Sequence, residues 1–188
     1  VSAVPSPHRE PIIELTAEQF RSRLTEALNV YVTAMGYPAS TAQQRAPMWT
    51  AHVQREGWRC IGAFDDRDEL IGLGYGYIGT PGQWWHEQVR RGLALSGGAA
   101  HGWLDDYFEL TELHVHPEYQ GGGLGERILR KLLESARGAN VLLSTPEGPT
   151  RAWRLYRRLG FTDVLRDYRF TGDPRPFAVL GRPLPLEA

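Results

Sequence analysis

The sequence predicts a mixed α/β fold, a central β-sheet of about seven strands flanked by about four helices in layers around one core. Three observations predict it. An apolar strand over 108–116 runs through Pro117 into Gly121-Gly122-Gly123, and from about Glu126 into an amphipathic helix. Strands over 58–64 and 70–78 flank the short turn 65–68, the pattern of a hairpin. Two further strands, 161–170 and 177–180, close the chain after another helix. The order is β-α-α-β-β-β-α-β-α-β-β, and 188 residues suit a single domain spanning 1–188.

Taken in order, residues 12–15 form the first strand. Thr16 and Gln19 have capping-box spacing, and Phe20, Leu24, Ala27, Leu28 and Tyr31 recur at helical intervals, so one helix is expected up to about Met35. It stops at Gly36-Tyr37-Pro38; a second helix starts at Ser40 or Thr41 and ends near Glu56-Gly57. In the strand 70–78, Gly72, Gly74 and Gly76 alternate and leave one face bare, either for close packing against a helix or to widen a substrate channel. Residues 79–106, between the third and fourth strands, are an aromatic insertion. Thr80-Pro81-Gly82 turns the chain, a helix carrying Trp84, Trp85, Val89 and Leu93 follows, and 96–102 reads as mobile. Two roles stand for this insertion: a lid over a substrate, or a seal over a sheet edge or an oligomer contact. Ile128, Leu129, Leu132, Leu133 and Ala136 share one face of the helix 126–137. Residues 140–145 form a strand, and the helix 150–159 ends at Gly160. Residues 1–10 and 182–188 read as terminal arms.

Composition narrows the class. A net charge of −1 with both signs interspersed argues against a nucleic-acid or membrane surface, and no apolar run reaches membrane-spanning length. Cys60 is the only cysteine, which excludes an intrachain disulfide and fits the cytoplasm; in the strand 58–64 it is expected to be a buried, inert thiol.

The strand–glycine loop–helix unit carries the chemistry. Glycines let a ligand approach the backbone, and the first helical N–H groups lack helix partners, which suits a phosphate. A Walker loop needs Lys and then Ser or Thr after its last glycine, but Glu126 and Arg127 follow Gly125. A dinucleotide fingerprint needs a glycine at its sixth position, where counting from Gly121 or Gly123 gives Glu126 or Ile128. The pattern Gln/Arg-x-x-Gly-x-Gly/Ala is met in full by Gln120-Gly121-Gly122-Gly123-Leu124-Gly125.

That loop resembles the pyrophosphate loop of the GCN5-related N-acetyltransferase (GNAT) superfamily. Leu113-His114-Val115-His116-Pro117 is similar to the family's Leu-x-Val-x-Pro strand end. Ala152-Trp153-Arg154-Leu155-Tyr156-Arg157-Arg158-Leu159-Gly160-Phe161 resembles its Ala-x-x-Leu-Tyr-x-x-x-Gly-Phe helix. The resemblance covers roughly 107–170. One departure stands out: many members carry Asn where this chain has Pro149, a role that Thr145, Glu147 or Thr150 would have to fill.

The resemblance implies a GNAT fold in which the strands holding Leu113 and Val141 splay apart to admit the pantetheine arm. Acetyl-CoA is the implied co-substrate, with no metal; His114-x-His116 lacks a third ligand nearby. Leu113, His114 and Val115 would contact pantetheine, Val115 N–H would serve the oxyanion, and Gln120, Gly121, Gly122, Gly123, Leu124, Gly125 and Glu126 would hold the pyrophosphate. Arg151, Arg154, Arg157 and Arg158 form a solvated face, or one of them meets a phosphate of CoA.

The implied reaction is direct attack of a primary amine, of a small molecule or a peptide, on the thioester. An amine of pKa about 10.4 must lose a proton first, so a base is needed, and an acid for the leaving sulfur. Tyr156 is the implied acid and Glu112 the base, with Glu109, His114 or water as alternatives. Alternation places Leu110, Glu112 and His114 on one strand face and Glu109, Thr111, Leu113 and Val115 on the other, barring a bulge. Asp105, Asp106, Glu109 and Glu112 form an acidic cluster that either attracts a cationic amine or is wet surface. Glu109, Trp84 and Trp85 are the candidate acceptor contacts, and a lid would favour a small acceptor. Homodimerisation is expected by analogy alone. Two rival functions remain at this stage, a non-catalytic CoA-binding regulatory module and an acyltransferase for longer acyl-CoA or a hydroxyl acceptor.

Overall fold

The computed structural model describes residues 9–186; residues 1–8 of the expected N-terminal arm and 187–188 of the C-terminal tail lie outside the described residues. Seven strands form one sheet: β1 (Ile12–Leu15), β2 (Arg59–Phe64), β3 (Leu70–Ile78), β4 (Tyr107–Val115), β5 (Asn140–Pro146), β6 (Thr162–Tyr168) and β7 (Phe177–Pro183). Their order across the sheet is β1-β2-β3-β4-β5-β7-β6. Every adjacent pair is antiparallel except β4 and β5. The last strand claims Arg182 and Pro183 from the expected tail, and Leu184 N–H donates to the Ala139 carbonyl.

Six helices flank the sheet where about four were expected: α1 (Ala17–Ser22), α2 (Leu24–Met35), α3 (Ser40–His52), α4 (Trp84–Ser96), α5 (Leu124–Leu133) and α6 (Arg151–Arg158). Part of the excess comes from Arg23, which breaks the expected first helix. Its guanidinium reaches Asp68 at 2.7 Å and lies 4.7 Å from the centre of the Phe64 ring, and these contacts lie far along the chain. Thr16 caps α1 as its spacing implied, with both capping-box bonds made. The segment expected to be mobile contains a 3-10 turn, Gly98–His101.

Helices α5 and α6 cover one face through Ile128, Leu129, Leu132 and Tyr156, packed on Ile61, Phe108, Val141 and Leu180. On the other face, α1–α3 enclose Phe20, Trp49, Tyr75 and Tyr77, while α4 packs Trp85, Val89 and Leu93 on Tyr107, Leu142 and Val179. The polar residues of β4 run between these two patches. The glycine alternation in β3 serves packing: a Cβ at Gly72 or Gly74 would lie 3.0 Å from an Ile128 methyl, so that face is filled by α5 and opens no channel. Cys60 is fully buried, and burial pushes its thiol far above the usual range.

Candidate active site

The parallel ladder between β4 and β5 is short. It joins Tyr107, Phe108 and Glu109 to Asn140, Val141 and Leu142 and then stops, while β5 stays paired with β7 as far as Pro146. From Glu109 onward the two strands part, opening the expected splay. His116 N–H donates to Ile71 O on the β3 side, so alternation turns the N–H groups of Leu113 and Val115 toward the gap.

The wide end of the gap meets the glycine loop. Gln120 folds back, its side-chain amide donating to the Val115 carbonyl at 2.8 Å, which ties the loop to the strand end. Gly121 and Gly123 have φ of +87° and +84°, where a side chain would be strained. A Cβ at Gly122 or Gly123 would meet nothing within 4 Å, so backbone lines open space there. Gly123 caps α5 without any side-chain bond, leaving the N–H groups of its first turn for a ligand. The Glu126 carboxylate is paired with Arg158 at 2.9 Å, so only its backbone N–H suits an anion. An Arg151 Nη1 atom lies 2.6 Å from where a Gly121 Cβ would sit, which places a cation over the loop. At the Pro149 departure, Thr150 caps α6 by accepting from Trp153 N–H, and Glu147 is held by Arg166 at 2.8 Å.

Tyr156 projects from α6 and is 6% exposed, with its ring 5.5 Å from that of Phe161. Burial, and then the nearby charge of Glu112, push its phenol well above the usual range, so it keeps its proton at neutral pH.

The expected strand alternation is corrected in β4. Tyr75 pairs with Glu112 but Gly76 with Leu110, so Thr111 is the extra residue of a β-bulge. The bulge reverses the faces beyond it. Leu113 and Val115 pack with Leu110 on the α5 side. Glu112 and His114 join Glu109 on the opposite face, where the Tyr31 ring stands 5.0 Å from that of His114.

Glu109 is 4% exposed, so the wet-surface alternative does not describe it, whereas Asp105 and Asp106 are exposed. Its Oε2 accepts from the Thr111 hydroxyl at 3.0 Å and from the Tyr77 hydroxyl at 3.5 Å, while Oε1 is buried without a partner among the described residues. Burial is the main cause that lifts its pKa to about 7. Glu112, by contrast, is already engaged, 2.5 Å from His114 Nε2. His116 Nδ1 accepts from Glu118 N–H, and among the described residues no group of three His, Cys, Asp or Glu is placed to hold a metal.

The two tryptophans part company. Trp85 packs as core, against the expectation that both indoles lie over an acceptor: it is 9% exposed, and its Nε1 donates to Ser144 on β5 at 3.1 Å. Trp84 is 55% exposed and lies against Phe170. Residues 84–96 form a helix laid on the sheet through Trp85, Val89 and Leu93. Arg55, Tyr77 and Thr111 were missed in the sequence. Thr111 matters because of the bulge, Tyr77 because β3 pairs it with Glu109, and Arg55, just beyond α3, because it donates to the Tyr77 hydroxyl at 2.7 Å.

Comparison with known proteins matches residues 23–161 to the model of the acetyltransferase (GNAT) family. The GCN5-like protein acetyltransferase Rv2170 of Mycobacterium tuberculosis is 47% identical over 202 residues, covering 93% of this chain and 98% of that protein. The N-alpha-acetyltransferase RimI of the same organism is 43% identical over 68 residues, 35% of this chain and 43% of that protein. The crystal structure of the ribosomal-protein-S18-alanine N-acetyltransferase from Escherichia coli shares the fold with a TM-score of 0.64 at 16% identity, covering 96% of this chain and 97% of that one. Among the described residues no helix is long and apolar enough to cross a membrane.

Proposed function

The chain belongs to the GNAT acetyltransferase family and is an N-acetyltransferase, and from that premise we propose that it moves the acetyl group of acetyl-CoA onto a primary amine of a protein or peptide by direct attack on the thioester. The 47% identical relative is a protein acetyltransferase matched over nearly its whole length, which supports the acceptor class. The observation that carries the reaction is the gap that opens at Glu109 and widens toward the glycine loop.

The residues present fit acetyl-CoA: open backbone at Gly122 and Gly123, the uncapped N-terminus of α5, and the Arg151 cation over the loop. Bound there, acetyl-CoA supplies the thioester. Leu113 and Val115 N–H groups serve its pantetheine and its carbonyl oxygen. Glu109 is the base in our reading, in preference to Glu112, because its Oε1 is free and it titrates near neutrality. Tyr156 holds the proton for the sulfur. Trp84, exposed at the end of α4, is the remaining aromatic candidate for acceptor contact.

Calorimetric titration with acetyl-CoA, followed by thiol release with lysine peptides, N-terminal peptides and polyamines, tests this. Saturable binding and turnover on peptides are expected; binding without turnover on any amine would favour a regulatory module, and turnover confined to polyamines would overturn the acceptor class. Two variants sharpen the test. Arg151→Ala should raise the KM for acetyl-CoA about tenfold with kcat little changed, the loss of one charge-assisted contact. Tyr156→Phe should lower kcat about 100-fold while leaving acetyl-CoA binding intact, the low end of what a general acid contributes.

A further inference from the structure

Tyr77 lies on the face of the sheet that α1–α3 cover, with Arg55 against its ring. Arg55, just beyond α3, donates from Nη1 to the Tyr77 hydroxyl at 2.7 Å and lies 4.7 Å from the centre of its ring. A guanidinium accepts nothing, so the Tyr77 proton must go elsewhere, and its acceptor is Glu109 Oε2. With the Thr111 hydroxyl on the same oxygen, Oε2 takes two donors and Oε1 none.

We infer that Arg55 and Tyr77 are a positioning pair that holds the Glu109 carboxylate with Oε2 saturated and Oε1 free to take the acceptor's proton, an inference that rests on the acetyltransferase reading with Glu109 as base. In that step one N–H bond of the acceptor ammonium breaks and an O–H bond forms at Oε1, while the nitrogen keeps the electron pair for attack. Neither Arg55 nor Tyr77 touches the reacting atoms.

The groups around Glu109 set the direction of the effect. Tyr77 faces it from β3, and Thr111, Tyr107 and Glu112 from β4. Arg55 and His52 face it from the α3 side, His52 through the Tyr77 ring at 5.1 Å. His86 of α4 stands behind Tyr107, bonded to its hydroxyl at 3.0 Å. Burial keeps His52 and His86 neutral near pH 7, Glu112 disfavours the anion, and Arg55 is the cation that favours it. Removing Arg55 therefore makes Glu109 harder to ionise.

The test is the pH profile of kcat/KM with a peptide acceptor for Arg55→Met, Arg55→Lys, Tyr77→Phe and Glu109→Gln. Arg55→Met should move the acid limb up by about one pH unit, the low end of an opposite-charge effect, with the KM for acetyl-CoA unmoved. Arg55→Lys should return the limb toward wild type, and Tyr77→Phe should move it in the same direction as Arg55→Met. A loss of rate by one common factor at every pH would show a merely structural role and overturn the pair. If Arg55→Met fails to fold, Tyr77→Phe carries the same readout. A Glu109→Gln enzyme at full rate would sink the base reading and the pair with it. An inactive Glu109→Gln beside an unshifted Arg55→Met limb would sink the pair alone.

Discussion

Replacing Glu109 by Gln is expected to lower kcat by about 10²- to 10⁴-fold at pH 7, the range general-base catalysis usually contributes. Glutamine keeps the shape of the side chain and an oxygen for the Thr111 and Tyr77 hydroxyls, but it cannot take the acceptor's proton at the position of Oε1. Glu112→Gln should cost much less, because the Glu112 carboxylate is committed to His114. Raising the pH supplies free amine from solution, so the Glu109→Gln deficit should shrink steadily between pH 7 and pH 10. Initial rates of thiol release at saturating acetyl-CoA measure all three. Equal losses at Glu109 and Glu112, with no recovery at high pH, would mean that neither acts as the base.

The same group marks stability with a known sign. Its folded pKa, about 7, lies above the ordinary carboxylate value of 4.5. A group shifted upward binds its proton more tightly in the folded state. Its contribution is therefore fully present below pH 4.5 and is lost as pH rises through 7. Wild type should lose thermal stability from this site between pH 5 and pH 8, and Glu109→Gln should not. On the reading that Glu109 is the base, its burial costs the fold some stability near neutral pH, as strained functional sites commonly do.

What the sequence disclosed follows the range of the interactions. The glycine loop was legible because its demands are local: Gly121 and Gly123 need positive φ, and Gln120 reaches back only five residues to Val115. The capping box at Thr16 and the buried face of α5 are local in the same sense. The relation of Glu109 to Glu112 was not legible. It depends on a bulge at Thr111 fixed by register against Gly76, and a one-residue slip moves a side chain to the other face. Trp85 was hidden for a related reason, since its burial depends on Leu142 and Val179, strands that reach it only in the folded sheet. Arg55 shows the limit most plainly: 54 residues separate it from Glu109, and nothing near it in sequence marks it as part of a site.

The bulge suggests the second large effect. A Cβ at Gly76 would lie 2.1 Å from the Glu109 carbonyl oxygen and 2.5 Å from the Phe108 ring. The first clash is with backbone, which cannot rotate away, so Gly76→Ala must push β4 off β3 at the bulge. The cost should reach or exceed about 3 kcal/mol, the upper end of ordinary overpacking, and lower the melting temperature by about 6–12 °C. Gly74 is the control, one turn of the pleat away. A Cβ there would lie 3.0 Å from Ile128 Cγ2, 3.2 Å from Leu113 Cδ1 and an ordinary 3.6 Å from the Glu112 carbonyl oxygen, a milder crowding with no close backbone clash. Gly74→Ala should therefore cost about 1 kcal/mol. The two variants also separate folding from chemistry. Below its melting point Gly76→Ala should remain catalytically weak if Glu109 is the base, because moving the Glu109 carbonyl displaces its carboxylate, and misplacement by about 1 Å can cost 100-fold. Calorimetric melting combined with rates measured well below the transition reads both effects. A Gly76→Ala enzyme that melts with wild type would show that the bulge does not depend on this close approach, and one that melts early yet turns over normally would show that the bulge does not set the position of Glu109.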